Sequence, residues 1–194
     1  MWLIKLFTVF AAIGVCVAEI TSPSPDVKCG RIPRVIFDCI GNTRIVSEEI
    51  TSQCHNYRIT ECERLNCIFE KANFLTKGEI DVRKVASHFD RYGAEHPEWK
   101  DAIRHARQHC FRRHLPAQGI HTNCPAFDIV HCSMISFLRN VKPNRWLSSP
   151  KCEYSRRYAA SCPICPDACF DHNVPQDACQ ACKQTNMRYN HTLP

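Results

Sequence analysis

The sequence is poor in glycine, with 6 residues among 194. It has no Gly-x-Ser-x-Gly motif, which places a serine nucleophile on a sharp turn in many hydrolases. A phospholipase A2-like site would need a glycine-rich calcium loop and a His-Asp pair, and the pair at Asp171-His172 has no glycine nearby. Because no activated nucleophile can be named, the sequence predicts a protein that is not an enzyme.

Long apolar runs are also scarce, since no stretch after residue 18 is long enough to span a membrane. The net charge is a mild +6, or +5 once residues 1–18 are removed, and no aromatic stacking motif accompanies the basic residues. We therefore expect neither membrane insertion nor a nucleic-acid partner. The main basic cluster is interpreted as a solvated helix face rather than an anion site, and it comprises Arg104, Arg107, Arg112 and Arg113.

The first eighteen residues have the pattern of a secretion signal. Lys5 supplies a positive start, and an apolar stretch follows from Leu6 to Val17. The small residues Cys16 and Ala18 stand at the −3 and −1 positions of a cleavage site. The pattern predicts a secreted, extracellular protein, for which the sequon at Asn190 is a glycosylation candidate.

Cysteine is abundant, with 15 residues in the chain and 14 after the signal. A dense and even set of thiols in a small secreted chain indicates a disulfide framework, because extracellular fluid lets disulfides persist. The predicted disulfide cysteines are Cys29, Cys39, Cys54, Cys62, Cys67, Cys110, Cys124, Cys132, Cys152, Cys162, Cys165, Cys169, Cys179 and Cys182. We expect seven disulfides, no metal ion and no cofactor.

Two metal-site hypotheses compete with that interpretation. The pairs Cys162-x2-Cys165 and Cys179-x2-Cys182 have a spacing similar to a zinc ribbon, but a secretion signal favours disulfides. His109 is four positions after His105 along a predicted helix, although no glutamate lies between them as a metalloprotease helix requires. These histidines are interpreted as surface or boundary residues.

Helix signals dominate the middle of the chain. Thr60 and Glu63 form a capping box, which predicts a helix from about Glu61 to Phe74. A break at Lys77-Gly78 precedes an amphipathic stripe that ends near Gly93. Further helices are predicted to start at Pro97, at Asn123-Cys124-Pro125 and at Ser149-Pro150. No alternating strand pattern lies between them, so the fold class is predicted to be all-α.

Composition divides the chain into four parts. Residues 1–18 are the signal peptide, and residues 19–59 form an N-terminal cysteine-bearing arm with one helix near Thr43 to Cys54. Residues 60–162 form the helical core, and residues 163–194 form a Pro/Cys-rich tail packed on the core. Together these predict a compact, disulfide-stapled bundle of about six helices with an irregular cystine-rich C-terminal tail.

Several motifs resemble the Plus-C branch of insect odorant-binding proteins. They are Asn123-Cys124-Pro125, Cys132, Arg145-Trp146-Leu147-Ser148-Ser149, Cys152 and the ending from Tyr158 to Cys162-Pro163. The resemblance covers roughly residues 29–165. It implies an interlocked core that joins Cys62 to Cys152, Cys110 to Cys162, and Cys67 to one of the three cysteines upstream of Cys62.

One departure from that family concerns Cys62 and Cys67, which four residues separate where the family has three. Five helical steps turn two side chains about 140° apart, so their sulfurs would lie on different faces of a regular helix. Either the helix bulges locally, or the two disulfides leave it in different directions.

A helical shell lined by apolar side chains predicts an internal cavity that binds small apolar molecules. The resemblance likewise implies a carrier that moves an odorant- or pheromone-type compound through extracellular fluid, with a membrane chemoreceptor as a further partner. The predicted ligand-binding residues are Phe69, Phe89, Trp99, Ile103, Val130, Met134 and Phe137. The alternative is a secreted cystine-rich inhibitor or interaction module without a ligand cavity.

Overall fold

The computed structural model describes residues 27–41, 43–112, 114–119 and 123–170. This part of the chain is mostly helical, with seven α-helices, one two-stranded hairpin and five disulfides, which confirms the predicted fold class. The α-helices are α1 (Val35–Asp38), α2 (Glu48–Gln53), α3 (Glu61–Lys71), α4 (Val82–Glu95), α5 (Lys100–His109), α6 (Pro125–Arg139) and α7 (Glu153–Ser161). The strands are β1 (Leu75–Thr76) and β2 (Glu79–Ile80). No helix in the described residues is long and apolar enough to cross a membrane.

Helix α3 begins with the predicted capping box. The Thr60 hydroxyl accepts a hydrogen bond from the Glu63 amide at 3.2 Å, and the Glu63 carboxylate accepts one from the Thr60 amide at 2.7 Å. The helix ends three residues before the predicted Phe74, because Asn73 adopts a left-handed conformation with φ 58°. This ending turns the Phe74 ring back into the core.

The hairpin between α3 and α4 was absent from the sequence interpretation, which took Lys77-Gly78 as a simple break. Both residues have positive φ, 53° and 81°, the combination that a tight two-residue hairpin turn requires. Leu75 pairs with Ile80 across the turn. Asp81 then caps α4 by accepting hydrogen bonds from the amides of the second and third residues after it.

The remaining predicted helix starts hold with small adjustments. The stretch Pro97–Trp99 is a 3₁₀ turn that leads directly into α5, and Pro125 is the first residue of α6. The predicted arm helix near Thr43 to Cys54 is shorter, since α2 begins at Glu48. The short helix α1 was not predicted.

Five disulfides join described residues: Cys29–Cys162, Cys39–Cys152, Cys54–Cys67, Cys62–Cys124 and Cys110–Cys132. The implied pairs Cys62–Cys152 and Cys110–Cys162 are therefore wrong. The implied bond from Cys67 to an upstream cysteine is confirmed, with Cys54 as its partner. Pairing depends on which helices meet in space, and cysteine spacing does not contain that information.

The structure of α3 shows how Cys62 and Cys67 are oriented: their two disulfides leave the helix in different directions. It runs without interruption from Glu61 to Lys71, so no bulge brings the sulfurs onto one face. Cys62 bonds to Cys124 at the start of α6, whereas Cys67 bonds to Cys54 at the end of α2. The two disulfides therefore fasten opposite neighbours to the same helix.

The zinc-ribbon alternative fails at its first ligand, because the Cys162 sulfur is bonded to Cys29. Cys165 is buried, and Cys169 is also disulfide-bonded. Cys179, Cys182 and Asn190 lie outside the described residues, as do the signal peptide and most of the tail.

Two of the disulfides are nested, and both join the N-terminal arm to the C-terminal part of the described chain. Cys29–Cys162 lies outside Cys39–Cys152 along the chain, with sequence separations of 133 and 113. Backbone hydrogen bonds reinforce this junction, from the Gly41 amide to the Arg145 carbonyl and from the Leu147 amide to the Cys39 carbonyl, both at 2.9 Å. The N-terminal arm is thus joined to the segment before α7.

Candidate ligand-binding groove

A groove of about 520 Å³ opens between α3, α4, α6 and the segment 43–51, which we call the N-terminal wall. Its volume is within the range of pockets that take small organic molecules. Eleven of its seventeen lining residues are apolar: Ile45, Val46, Leu65, Ile68, Phe69, Phe74, Val85, Phe89, Ile129, Val130 and Met134. The groove is therefore mainly a hydrophobic surface.

The floor of the groove is part of the closely packed core. Phe69 and Phe74 meet edge to face with ring centroids 5.3 Å apart, and both are almost fully buried. Val85 of α4 is completely buried beneath them. Ser133 of α6 also reaches the lining, but its hydroxyl donates to the Ile129 carbonyl at 2.7 Å. A ligand on this floor meets rigid apolar walls.

The His88 side chain connects the N-terminal wall to α4. The Nε2 atom of His88 lies 2.7 Å from the Ile45 carbonyl oxygen, while the His88 ring packs edge-on against Phe74. Through this contact one backbone group of the wall is fixed to the floor. The wall carries Ile45 and Val46 toward the groove and places Arg44 and Glu48 at its edge.

Polar side chains occupy the rim. The side chains of Arg44 and Glu48 are 75% and 76% exposed, and that of Arg64 is 38% exposed. Arg44 and Glu48 form an ion pair with a 2.6 Å contact. Thr43 and Thr51 complete the rim from the N-terminal wall. The site thus combines an apolar, buried floor with a charged, solvent-exposed rim.

Four of the seven residues predicted to bind ligand line this groove, namely Phe69, Phe89, Val130 and Met134. Trp99 and Phe137 are fully buried away from its lining and pack on each other with centroids 5.1 Å apart. Phe137 lies seven residues beyond Val130, or about 10 Å further along α6.

Ile103, the seventh predicted residue, lies at a separate depression of about 580 Å³ between α4 and α5, which is more open to solvent than the groove. Phe137 belongs to the same apolar stripe of α6 as Val130 and Met134, whereas Trp99 and Ile103 belong to the stripe that leads into α5, from which no described residue lines the groove. Helical periodicity identifies a buried face without showing which part of that face borders a cavity.

Sequence reasoning missed the other lining residues. Leu65, Ile68 and Val85 lie within the stretches predicted to form α3 and α4, but the sequence analysis assigned them to no site. Their apolar side chains at helical spacing were the available signal, and that spacing marks a buried face without showing whether the face borders a groove. Ile45 and Val46 carried no periodic signal, since the N-terminal wall is irregular before α2.

The histidine pair on α5 lies apart from the groove lining and contacts α6. His105 places Nδ1 2.9 Å from the Ser136 hydroxyl, and its ring centroid is 4.4 Å from that of His109. Burial lowers the pKa of His105, and the positive charges of His109 and Arg139 lower that pKa further. Within the described part of the chain, no group of three or more potential metal-ligating side chains is assembled.

Acidification is expected to destabilise the fold through His105. Its folded-state pKa is below the 6.5 of a free imidazole, so the unfolded chain takes up this proton first. The free energy of unfolding should fall as pH drops below about 6.5. Urea unfolding midpoints near pH 7.5 and 5.5 measure the effect. A His105→Gln variant should lose less stability than the wild type across this interval, and an equal loss would contradict the assignment.

No protein-family model matches the chain, and comparisons with curated proteins and with solved structures find no similar protein. The findings identify a small helical protein with multiple disulfides, which suit an oxidising, extracellular environment.

Proposed function

We propose that this protein is a secreted carrier that binds small hydrophobic molecules in the groove and transports them through extracellular fluid. The observation that carries this proposal is the apolar floor formed by α3, α4 and α6, which opens at a polar rim. The sequence motifs that resemble those of Plus-C odorant-binding proteins support an odorant- or pheromone-type cargo.

The disulfides favour binding by fixing the walls in advance. Cys62–Cys124 joins α3 to the start of α6, and Cys54–Cys67 joins α3 to the end of α2. Helix α2 contains part of the N-terminal wall. A site with fixed walls loses little conformational entropy when a ligand enters. The buried apolar surface of a small ligand can then give micromolar affinity, about −8 kcal/mol.

Met134 offers a direct test because it reaches the lining from α6, one helical turn beyond Val130. The folded protein should bind a neutral hydrophobic dye such as N-phenylnaphthylamine with a micromolar dissociation constant, and volatile alcohols and esters should displace it. Met134→Glu should weaken binding at least about tenfold, because an ionised carboxylate would have to be buried beside the ligand. Fluorescence titration measures both affinities.

Val35→Glu is the matched control. Val35 is an exposed apolar residue on α1, 44% accessible and outside the groove lining, so it receives the same new charge without touching the site. Circular dichroism should show both variants folded. Unchanged dye affinity in folded Met134→Glu would remove that residue from the binding site, and absence of dye binding to the wild type would overturn the proposed carrier function.

A further inference from the structure

The rim of the groove carries more positive than negative charge. Arg44 and Arg64 both line it, whereas Glu48 is the one acidic lining residue in the described part of the chain. The positive charge stands above an apolar floor, an arrangement complementary to a molecule with an anionic head and an apolar body.

The two arginines differ in how far they are already paired. Arg44 is engaged by Glu48 at 2.6 Å. The nearest carboxylate to Arg64 among the described residues is Glu61, at 3.9 Å, and Arg34 approaches that same carboxylate at 3.7 Å. Both of these contacts exceed hydrogen-bond length, so the Arg64 guanidinium keeps donors for another acceptor.

Arg64 is also correctly placed for a head group. It precedes Leu65 on α3 and is one turn before Ile68, and both apolar residues line the groove. Its side chain is 38% exposed, so a bound carboxylate would keep part of its hydration while an attached chain lay on the floor. Little desolvation would then oppose the pairing.

We propose that the preferred ligands of the groove are medium-chain carboxylic acids, bound with the ionised carboxylate on Arg64 and the hydrocarbon chain over the floor. This inference rests on the proposed carrier function and specifies its ligand class. The guanidinium supplies paired N–H donors whose geometry matches the two oxygens of a carboxylate.

Competition against N-phenylnaphthylamine tests the preference with four ligands of equal chain length: decanoate, methyl decanoate, decanol and decylamine. Near pH 7.5 decanoate is ionised. It should bind wild-type protein about tenfold more tightly than methyl decanoate, as a charge-assisted hydrogen bond predicts. This advantage should shrink when salt is raised to about 0.5 M, because the rim is open to solvent.

Three substitutions locate the head group. Arg64→Gln should weaken decanoate binding about tenfold and leave methyl decanoate affinity within about twofold. Glu48→Gln should strengthen decanoate binding, since it frees Arg44 and removes a competing carboxylate. Arg83→Gln is the matched control, because Arg83 is 94% exposed on α4 and outside the groove lining. It should change neither affinity.

The outcomes separate the two proposals. Equal binding of decanoate, its ester and the alcohol would overturn the carboxylate preference and leave the carrier function standing. Preference for decylamine would also overturn the carboxylate preference, and it would indicate that Glu48 determines which ligand charge the rim binds. If neither the dye nor any of the four ligands binds, both proposals fail.

Discussion

Removal of the two nested disulfides together is expected to destabilise the protein by more than the sum of the two single removals. While Cys29–Cys162 is intact, Cys39–Cys152 closes a ring of only about 20 residues, ten on each side of the bundle. Likewise, while Cys39–Cys152 is intact, Cys29–Cys162 closes the same ring of about 20 residues. Each disulfide therefore compensates for part of the loss of the other, by about 1 kcal/mol.

The loop-entropy relation gives the magnitudes. Replacing either pair by alanine should lower the free energy of unfolding by about 3 kcal/mol. With both pairs gone, the shortest remaining ring through Cys62–Cys124 is about 50 residues, and the combined loss should be about 7 kcal/mol. This is a large part of the roughly 5–15 kcal/mol of a typical domain.

Urea unfolding of the two double-alanine variants and the quadruple variant measures this cycle, with a protecting osmolyte in all samples to keep the quadruple variant folded. A double-alanine variant at Cys54 and Cys67 is the control, because that disulfide closes its own loop of 13 residues and is not part of the ring of about 20 residues formed by the nested pair. Its effect should add to either single removal. Strict additivity of the nested pair would contradict the ring argument.

Trp99→Ala is expected to lower the free energy of unfolding by about 3–5 kcal/mol. The indole is fully buried, packs on Phe137, and has the Arg145 guanidinium 5.7 Å from its ring centroid. Truncation opens a large cavity and removes both contacts. Leu147→Ala, at a site 44% exposed, should have a much smaller effect in the same denaturation assay.

The Trp99 position also distinguishes core packing from ligand contact. Because Trp99 is outside the groove lining, folded Trp99→Phe should bind the hydrophobic dye with unchanged affinity. Phe89→Ala, at a lining position, should change that affinity. A selective loss of binding in Trp99→Phe would instead place this side chain at the ligand.

The helix starts could be predicted because their causes are local. The capping box at Thr60 and the prolines at 97 and 125 act within one turn of chain, and each marks a helix start in the structure. The hairpin at Leu75 to Ile80 could not, since two-residue strands are too short for an alternating pattern.

The groove could be predicted only in part. Val130 and Met134 share a face of α6, and periodicity identified them. The same periodicity also included Phe137, which is buried but does not line the groove. Periodicity indicates that a side chain is buried, and it does not indicate whether that side chain borders a cavity or packs against another helix. The N-terminal wall could not be predicted from the sequence. Its Ile45 carbonyl is connected to α4 by a long-range contact with His88, and no local sequence pattern encodes such a contact.

The nested disulfides also determine when each cysteine meets its partner during synthesis. The partners of Cys54 and Cys110 are synthesised 13 and 22 residues later, whereas the partner of Cys39 is synthesised 113 residues later. At roughly 5–20 residues per second that interval is about 6–20 seconds. During it the Cys39 thiol can react with the nearer Cys54, and correcting that bond takes minutes to hours without an isomerase. The yield of native protein should therefore depend on the disulfide isomerase activity of the oxidising compartment in which it folds.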